Sequence, residues 1–240
     1  MSVLSAEGEP SDLPRPYDPD GSHRLDTAAD LVLRTRSIAT PEQFDRFRTQ
    51  MILWFFSYLY EPLTRQRGNG PTLPGYRVNR LHNIASLPYV TLAEIVTHCP
   101  VSAGERARPS LRRLSTLAAY QMAWCNDIHS ATREAHVGRP VANLPSLLRT
   151  EKGLTGEEAT EKAVRTHDST MRAFLRLEAR TRPHASPGTH ACLDVLRIWM
   201  RGHYDWCRET VRYQVPGTPG TDQGGQAQGS GTGHGKGAAA

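Results

Sequence analysis

Asn126, Ser130 and Glu134 stand four residues apart in the stretch Asn-Asp-Ile-His-Ser-Ala-Thr-Arg-Glu. An α-helix turns once every ~3.6 residues, so positions i, i+4 and i+8 share one face. The stretch therefore stacks a carboxamide oxygen, a hydroxyl and a carboxylate in one column. All three are hard oxygen donors of the kind Mg²⁺ accepts, with substrate phosphates and water completing the shell. Asp127 is turned about 100° off that column and reads as a solvated carboxylate. His129 and His136 flank the column without a zinc spacing to the cysteines, and read as core or surface histidines.

The elements that position these residues read as helices throughout. Thr40-Pro41-Glu42-Gln43 is a helix start, with Thr as cap, Pro in the first turn and Gln three residues after the cap. Phe44, Phe47, Met51, Trp54, Phe55, Tyr58 and Leu59 follow at three- and four-residue spacing, as a buried stripe does. Gly68, Gly70, Pro71 and Pro74 interrupt the pattern. A shorter helix is expected from about Tyr76 toward Ile84, with a break near Ser86–Leu87 because Pro88 disfavours helix before it. The helix with the oxygen column begins near Pro109, carries Leu111, Leu114, Leu117, Trp124 and Ile128 on its apolar side, and ends at Gly138 and Pro140. Thr155-Gly156-Glu157-Glu158 is a capping box for the next helix. The last helix carries Leu196, Trp199, Met200, His203, Trp206, Cys207 and Thr210. No strand pattern of convincing length is present, so the chain is an all-α domain.

With 240 residues the chain can bury a substantial core. Residues 1–25 and 216–240 are rich in small and polar residues and read as disordered flanks of a helical domain over 26–215. No run of ~18 apolar residues exists to span a membrane, and the N-terminus lacks a signal-peptide pattern. Four scattered cysteines without a Cys-x-x-Cys pair suit a reducing cytoplasm rather than a disulfide framework or a zinc cage. The net charge of +5 comes from arginines dispersed among acids, not from a basic stripe. That excludes a nucleic-acid interface of the usual kind and leaves a multiply charged anion as partner.

The column resembles the Asn/Ser/Glu metal motif of class I terpene synthases, specifically the bacterial terpene cyclases. Two further features carry the resemblance. Arg212-Tyr213, at the end of the last helix, is similar to the family's C-terminal Arg-Tyr pair. Arg80, ahead of the helix break, is similar to its diphosphate-sensing arginine. The resemblance runs from about Asp26 to Tyr213. It implies a class I terpenoid synthase-like helical bundle, truncated at its N-terminus, with Mg²⁺ held by Asn126, Ser130 and Glu134. It further implies ionisation of an isoprenyl diphosphate, farnesyl diphosphate by family habit, followed by cyclisation of the carbocation and release of diphosphate. Arg80, Arg212 and Tyr213 would act on the departing diphosphate, since guanidinium donors fork onto phosphate oxygens. Arg133 stands where the family has a basic diphosphate contact; a surface ion pair worth ~0–1 kcal/mol is the alternative. Trp54, Phe55, Trp199 and Trp206 are candidates for the aromatic lining that a carbocation needs, and equally for plain core.

The family's aspartate-rich motif is not found in the sequence. Asp26 and Asp30 match it poorly, and Asn83, Ile84 and Ala85 depart from the polar and glycine positions that follow the sensing arginine. Four readings stay open: a cyclase completed by an unusual N-terminus or by a complementing partner chain, a truncated or degenerate synthase inactive alone, an all-α binding protein reusing the fold, or a start codon placed too late; a homodimer is a further open expectation. Helices that normally pack on the missing segment are expected to expose apolar faces.

Overall fold

In the computed structural model, residues 23–68, 70–99, 101–136 and 142–213 are described. Among them the regular elements are all helical: α1 (His23–Ile38), α2 (Pro41–Ser57), α3 (Tyr60–Gln66), α4 (Leu73–Asn83), α5 (Ser86–Val96), α6 (Ala103–Arg106), α7 (Pro109–His136), α8 (Leu144–Lys152), α9 (Gly156–Thr181) and α10 (Pro187–Glu209), with 3₁₀ turns at Arg182–His184 and Val211–Tyr213. No helix among the described residues is long and apolar enough to cross a membrane. Nearly all of the two expected flanks, 1–25 and 216–240, falls outside the described residues; helix begins at His23 rather than Asp26.

The helix starts are written in local chemistry. The expected capping boxes at Thr40/Gln43 and Thr155/Glu158 both form. The starts at Thr72 and Asn143 are among those not anticipated. Thr72 caps α4 and accepts from the Gly75 amide, so Pro74 lies inside the first turn, where its missing N–H costs nothing. Asn143 and Ser146 cap α8 in the same reciprocal way.

α7 is the hub and packs against α4, α5, α8, α9 and α10. Its apolar residues Leu111, Leu114, Leu117 and Met122 join Phe174 of α9 with Leu193, Leu196 and Met200 of α10 in the main core. Further along, Ala123 and Trp124 close a second cluster with Tyr76, Leu144, Leu147 and Leu148. A third cluster holds α1 and α2 together through Val32, Phe47 and Met51. Burying one such side chain stabilises the fold by ~1.5–3 kcal/mol.

Two expectations need correction. The stripe on α2 is buried only through Phe47 and Met51; Phe55, Tyr58 and Leu59 are exposed, together with Leu53, Phe56 and Leu63. The helical period continues, but among the described residues no helix covers that end. The break between α4 and α5 falls at Ile84–Ala85, not at Ser86–Leu87. Pro88 sits within the first turn of α5, where a missing N–H is harmless. The turn is made by Ala85 itself, whose φ of 61° is left-handed. An L-residue there costs ~1–2 kcal/mol that glycine avoids. Ala85→Val is therefore expected to cost about 2 kcal/mol or more, and Ala85→Gly to be neutral or stabilising within about 1 kcal/mol. Thermal unfolding of the two variants checks the contrast; equal effects would mean that the backbone relaxes.

α6 is tied to the start of α10 by a single carboxylate. Glu105 accepts from the Ser102 amide at 3.1 Å and hydroxyl at 2.8 Å, from the Ser186 hydroxyl, and from the Thr189 hydroxyl at 3.3 Å. Hydrogen bonds from Ser186 and then Ser102 hold its pKa down to about 2, against an ordinary 4.5. A depressed acid contributes stability that is complete above its unfolded pKa and lost as pH falls through the folded value. Stability is thus expected to fall between about pH 4.5 and pH 2. In Glu105→Gln that part of the acid slope should be missing from urea midpoints followed against pH; an unchanged slope would assign it elsewhere.

Candidate active site

The middle of α7 faces α4 and the chain that follows α10, and the three segments meet at Asn126. Its carboxamide is held between two partners. The oxygen accepts from Arg80 Nη2 at 2.6 Å, and the nitrogen donates to the Tyr213 hydroxyl at 2.5 Å. Three residues singled out in sequence, far apart along the chain, thus share one hydrogen-bond chain. Because the Tyr213 oxygen accepts from Asn126, its own proton remains available to an anion. Burial pushes the Tyr213 phenol up to about 12, so it is a neutral donor at ordinary pH.

Four and eight residues along, Ser130 and Glu134 continue the column. The Ser130 hydroxyl is buried without a hydrogen-bond partner. A buried orphan of this kind costs ~1–3 kcal/mol unless something else fills its lone pair. Glu134 accepts from Asn143 Nδ2 at 2.6 Å, and Asn143 Oδ1 simultaneously accepts from the Ser146 amide at 2.8 Å. The α8 cap therefore also orients a carboxylate of the column. Three hard oxygens, one of them unsatisfied, fit a Mg²⁺-type ion.

Asp127 corrects the sequence reading most directly. It is 1% exposed rather than solvated. It accepts from the Tyr76 hydroxyl at 2.5 Å, from Arg80 Nε at 3.0 Å and from the Leu144 amide at 3.0 Å, and pairs with Arg80 Nη2 at 2.7 Å. The 100° turn that takes it off the column aims it at α4 instead of at water. Burial works against the Arg80 charge, but Asp127, Tyr76 and Glu134 together more than offset it, and the guanidinium pKa lies above its ordinary value. Burial in turn pushes the Asp127 carboxyl up against the pull of Arg80. Arg80 also donates from Nη1 to Asn83 at 3.0 Å. Asp127, Tyr76 and Asn143 were not picked out as functional from sequence. For Asn143 the signal was present, an Asn-Leu-Pro-Ser helix start; for Asp127 and Tyr76 it was not.

The other expected residues divide. Arg133 and Arg212 are exposed, so the Arg-Tyr pair is split, with Tyr213 turned inward. Of the four aromatic candidates, Trp206 touches the site: it is 42% exposed and packs edge-on against Tyr213 at 5.5 Å. Trp54 packs into the third cluster, with the exposed Phe55 tilted beside it at 4.9 Å. Trp199 stacks on Tyr89 at 5.7 Å against the main core.

With this arrangement in view, a family model described as "Terpene synthase family 2, C-terminal metal binding" matches residues 4–173. The chain belongs to the terpene synthase family. Spiroviolene synthase from Streptomyces violens is 30% identical to it over 184 residues, which are 77% of this chain and 51% of that enzyme. The (+)-corvol ether synthase from Kitasatospora setae, named as cyclising (2E,6E)-farnesyl diphosphate, is 27% identical over 77% of this chain and 58% of its own length. The chain spans about half the length of these curated relatives. Among solved terpene synthases, 2-methylisoborneol synthase from Streptomyces coelicolor, in complex with Mg²⁺ and 2-fluorogeranyl diphosphate, superposes with a TM-score of 0.73 at 26% identity, covering 90% of this chain and 70% of that one. The all-α fold is thus the terpene synthase fold, and the matching family model is described as metal binding.

Proposed function

We propose that this chain carries the metal-binding side of a terpene cyclase active site, in which an isoprenyl diphosphate is ionised and its carbocation cyclised. The observation that carries the reading is the column on α7. A buried, unpartnered Ser130 hydroxyl lies between Asn126 and Glu134, with Arg80 and Tyr213 converging on Asn126. Asn126, Ser130 and Glu134 would hold Mg²⁺. Bound there, the ion supplies positive charge to the oxygens of the leaving diphosphate.

The protein's own groups do the rest. The allylic C–O bond breaks heterolytically and its electron pair leaves with the diphosphate. Arg80 and Tyr213 present donors to the charge that grows on those oxygens. Stabilisation aimed at charge developing in the transition state is usually the largest catalytic term. Arg212 and Arg133, exposed at the rim, are suited to meeting the diphosphate from the solvent side. Trp206 beside Tyr213 offers an aromatic face to the carbocation, worth ~0.5–2 kcal/mol. Farnesyl diphosphate is the substrate proposed, in line with what the corvol ether synthase is named for. Four unpaired thiols are consistent with a cytoplasmic protein.

A second reading is favoured by one specific observation. The Arg80 donors are engaged with Asp127, Asn126 and Asn83 inside the protein, and the sequence carries no aspartate-rich motif. On that reading the 240-residue chain binds diphosphate with Mg²⁺ and does not turn it over alone. Both are tested by incubating the purified chain with geranyl, farnesyl and geranylgeranyl diphosphates and Mg²⁺, with products read by gas chromatography and Glu134→Ala alongside. Product that vanishes in the variant supports the cyclase. Mg²⁺-dependent binding of inorganic diphosphate without product supports the second reading. Neither binding nor product, in folded protein, overturns both.

A further inference from the structure

One residue before the oxygen column, α7 turns a different chemistry toward α10. Cys125 and His129 are one helical turn apart on α7, and His203 and Cys207 one turn apart on α10, so each helix presents a thiol and an imidazole on one face. The fold brings the two pairs together. The ligand atoms of Cys125, His129 and Cys207 all lie within 4.8 Å of one another. Cys125 Sγ is 3.8 Å from His129 Nδ1, and Cys207 Sγ is 3.4 Å from His203 Nε2. Both cysteines are buried and unpaired. No zinc spacing is legible along the chain because the two halves lie far apart in it.

We infer that Cys125, His129 and Cys207 form a site for a soft divalent metal of the zinc type, with His203 or water in the fourth position. In a tetrahedral zinc site, bonds of ~2.0–2.3 Å put neighbouring ligand atoms roughly 3.3–3.8 Å apart. The Cys125–His129 and Cys207–His203 separations are of that length; His129 Nδ1 also lies 2.9 Å from the Cys125 carbonyl oxygen, a contact that a metal bound at that nitrogen would replace. Two sulfurs and an imidazole nitrogen select zinc-type metals over Mg²⁺, which prefers the all-oxygen column beside them. The site is therefore chemically separate from the column, although Cys125 and Asn126 are adjacent. It joins α7 to α10 directly ahead of the turn that delivers Tyr213 to Asn126. A metal there would act as a structural clasp, because its binding energy goes into the folded state.

The test is a Co²⁺ titration of the untagged, fully reduced 240-residue chain, followed by optical absorption. The expected result is saturation at one equivalent, with visible bands of tetrahedral Co²⁺ and a near-ultraviolet thiolate-to-cobalt band, and displacement by Zn²⁺. Cys125→Ser and Cys207→Ser should each abolish the thiolate band or diminish it, and His129→Gln, which leaves both thiols in place, should weaken Co²⁺ binding about tenfold or more. Glu134→Gln and the double variant Cys99→Ser/Cys192→Ser should bind Co²⁺ as the parent does. The thermal midpoint of the parent should rise with Co²⁺ concentration. Folded, reduced protein without a thiolate-to-cobalt band overturns the proposal, as do bands that survive in Cys125→Ser/Cys207→Ser. If air oxidation of Cys99→Ser/Cys192→Ser removes its two remaining free thiols and the reduced chain still ignores Co²⁺, Cys125 and Cys207 are a disulfide couple and the metal site is refuted.

Discussion

Asp127→Asn is expected to destabilise the fold by about 3–5 kcal/mol, because it leaves the Arg80 guanidinium buried beside a group that no longer carries charge. Arg80 is 9% exposed, and Asp127 also receives the Tyr76 hydroxyl and the Leu144 amide. One carboxylate therefore holds α4, α7 and the start of α8 on a common point. An Asn side chain offers one oxygen where the carboxylate offers two, so at least one of those donors is orphaned as well. Urea unfolding followed by circular dichroism measures the loss. Arg80→Met/Asp127→Asn should recover much of it, since removing both charges is commonly far less costly than removing one. If the single and double variants unfold alike, the pair is not the element that matters and packing around Tyr76 would have to account for the loss.

Glu134→Gln is expected to reduce Mg²⁺-dependent affinity for inorganic diphosphate by about 10- to 100-fold or more, because even partners outside a metal's coordination shell are commonly worth that much. The substitution keeps the shape and an acceptor for Asn143 Nδ2, so the α8 cap and the fold should be spared. Calorimetry with and without Mg²⁺ separates the two contributions. Binding that is weakened only in the presence of Mg²⁺ assigns Glu134 to the ion. Equal weakening in its absence would assign Glu134 to orienting Asn143 and the loop behind it, and the column would lose its carboxylate ligand. Tyr213→Phe offers a complementary check: it should weaken diphosphate binding with or without Mg²⁺, because the lost group is a hydrogen-bond donor.

How much of this was legible beforehand depends on whether the relevant physics is local. Helix periodicity and the capping boxes at Thr40 and Thr155 are local, and they read correctly. The column of Asn126, Ser130 and Glu134 follows from helical pitch alone. Arg80 and Tyr213 were singled out by a family pattern as diphosphate contacts; that both hydrogen-bond to Asn126 is a tertiary fact the pattern did not contain. What did not read is tertiary. Asp127 differs from a solvated carboxylate only through α4 lying opposite it. Phe55 and Leu59 differ from buried residues only through the lack of a covering helix among the described residues. Ala85 gives no hint of a left-handed turn, because the residue usually found in one is glycine. His129 was set aside for want of a spacing motif, and its thiol neighbour Cys207 lies on another helix.

Residues 125, 126 and 127 follow one another along α7, yet each serves a different neighbour: the Cys–His cluster facing α10, the oxygen column, and the buried ion pair with α4. Successive side chains are fixed about 100° apart, so the helix sets all three directions with a single register. Inserting or deleting one residue anywhere between Met122 and Cys125 would swing every one of them onto its neighbour's bearing at once. Change in this stretch is consequently confined to substitution. The length of α7 ahead of the column is as much a part of the site as any oxygen in it, and no compensating mutation at a single position could restore what a one-residue slip removes.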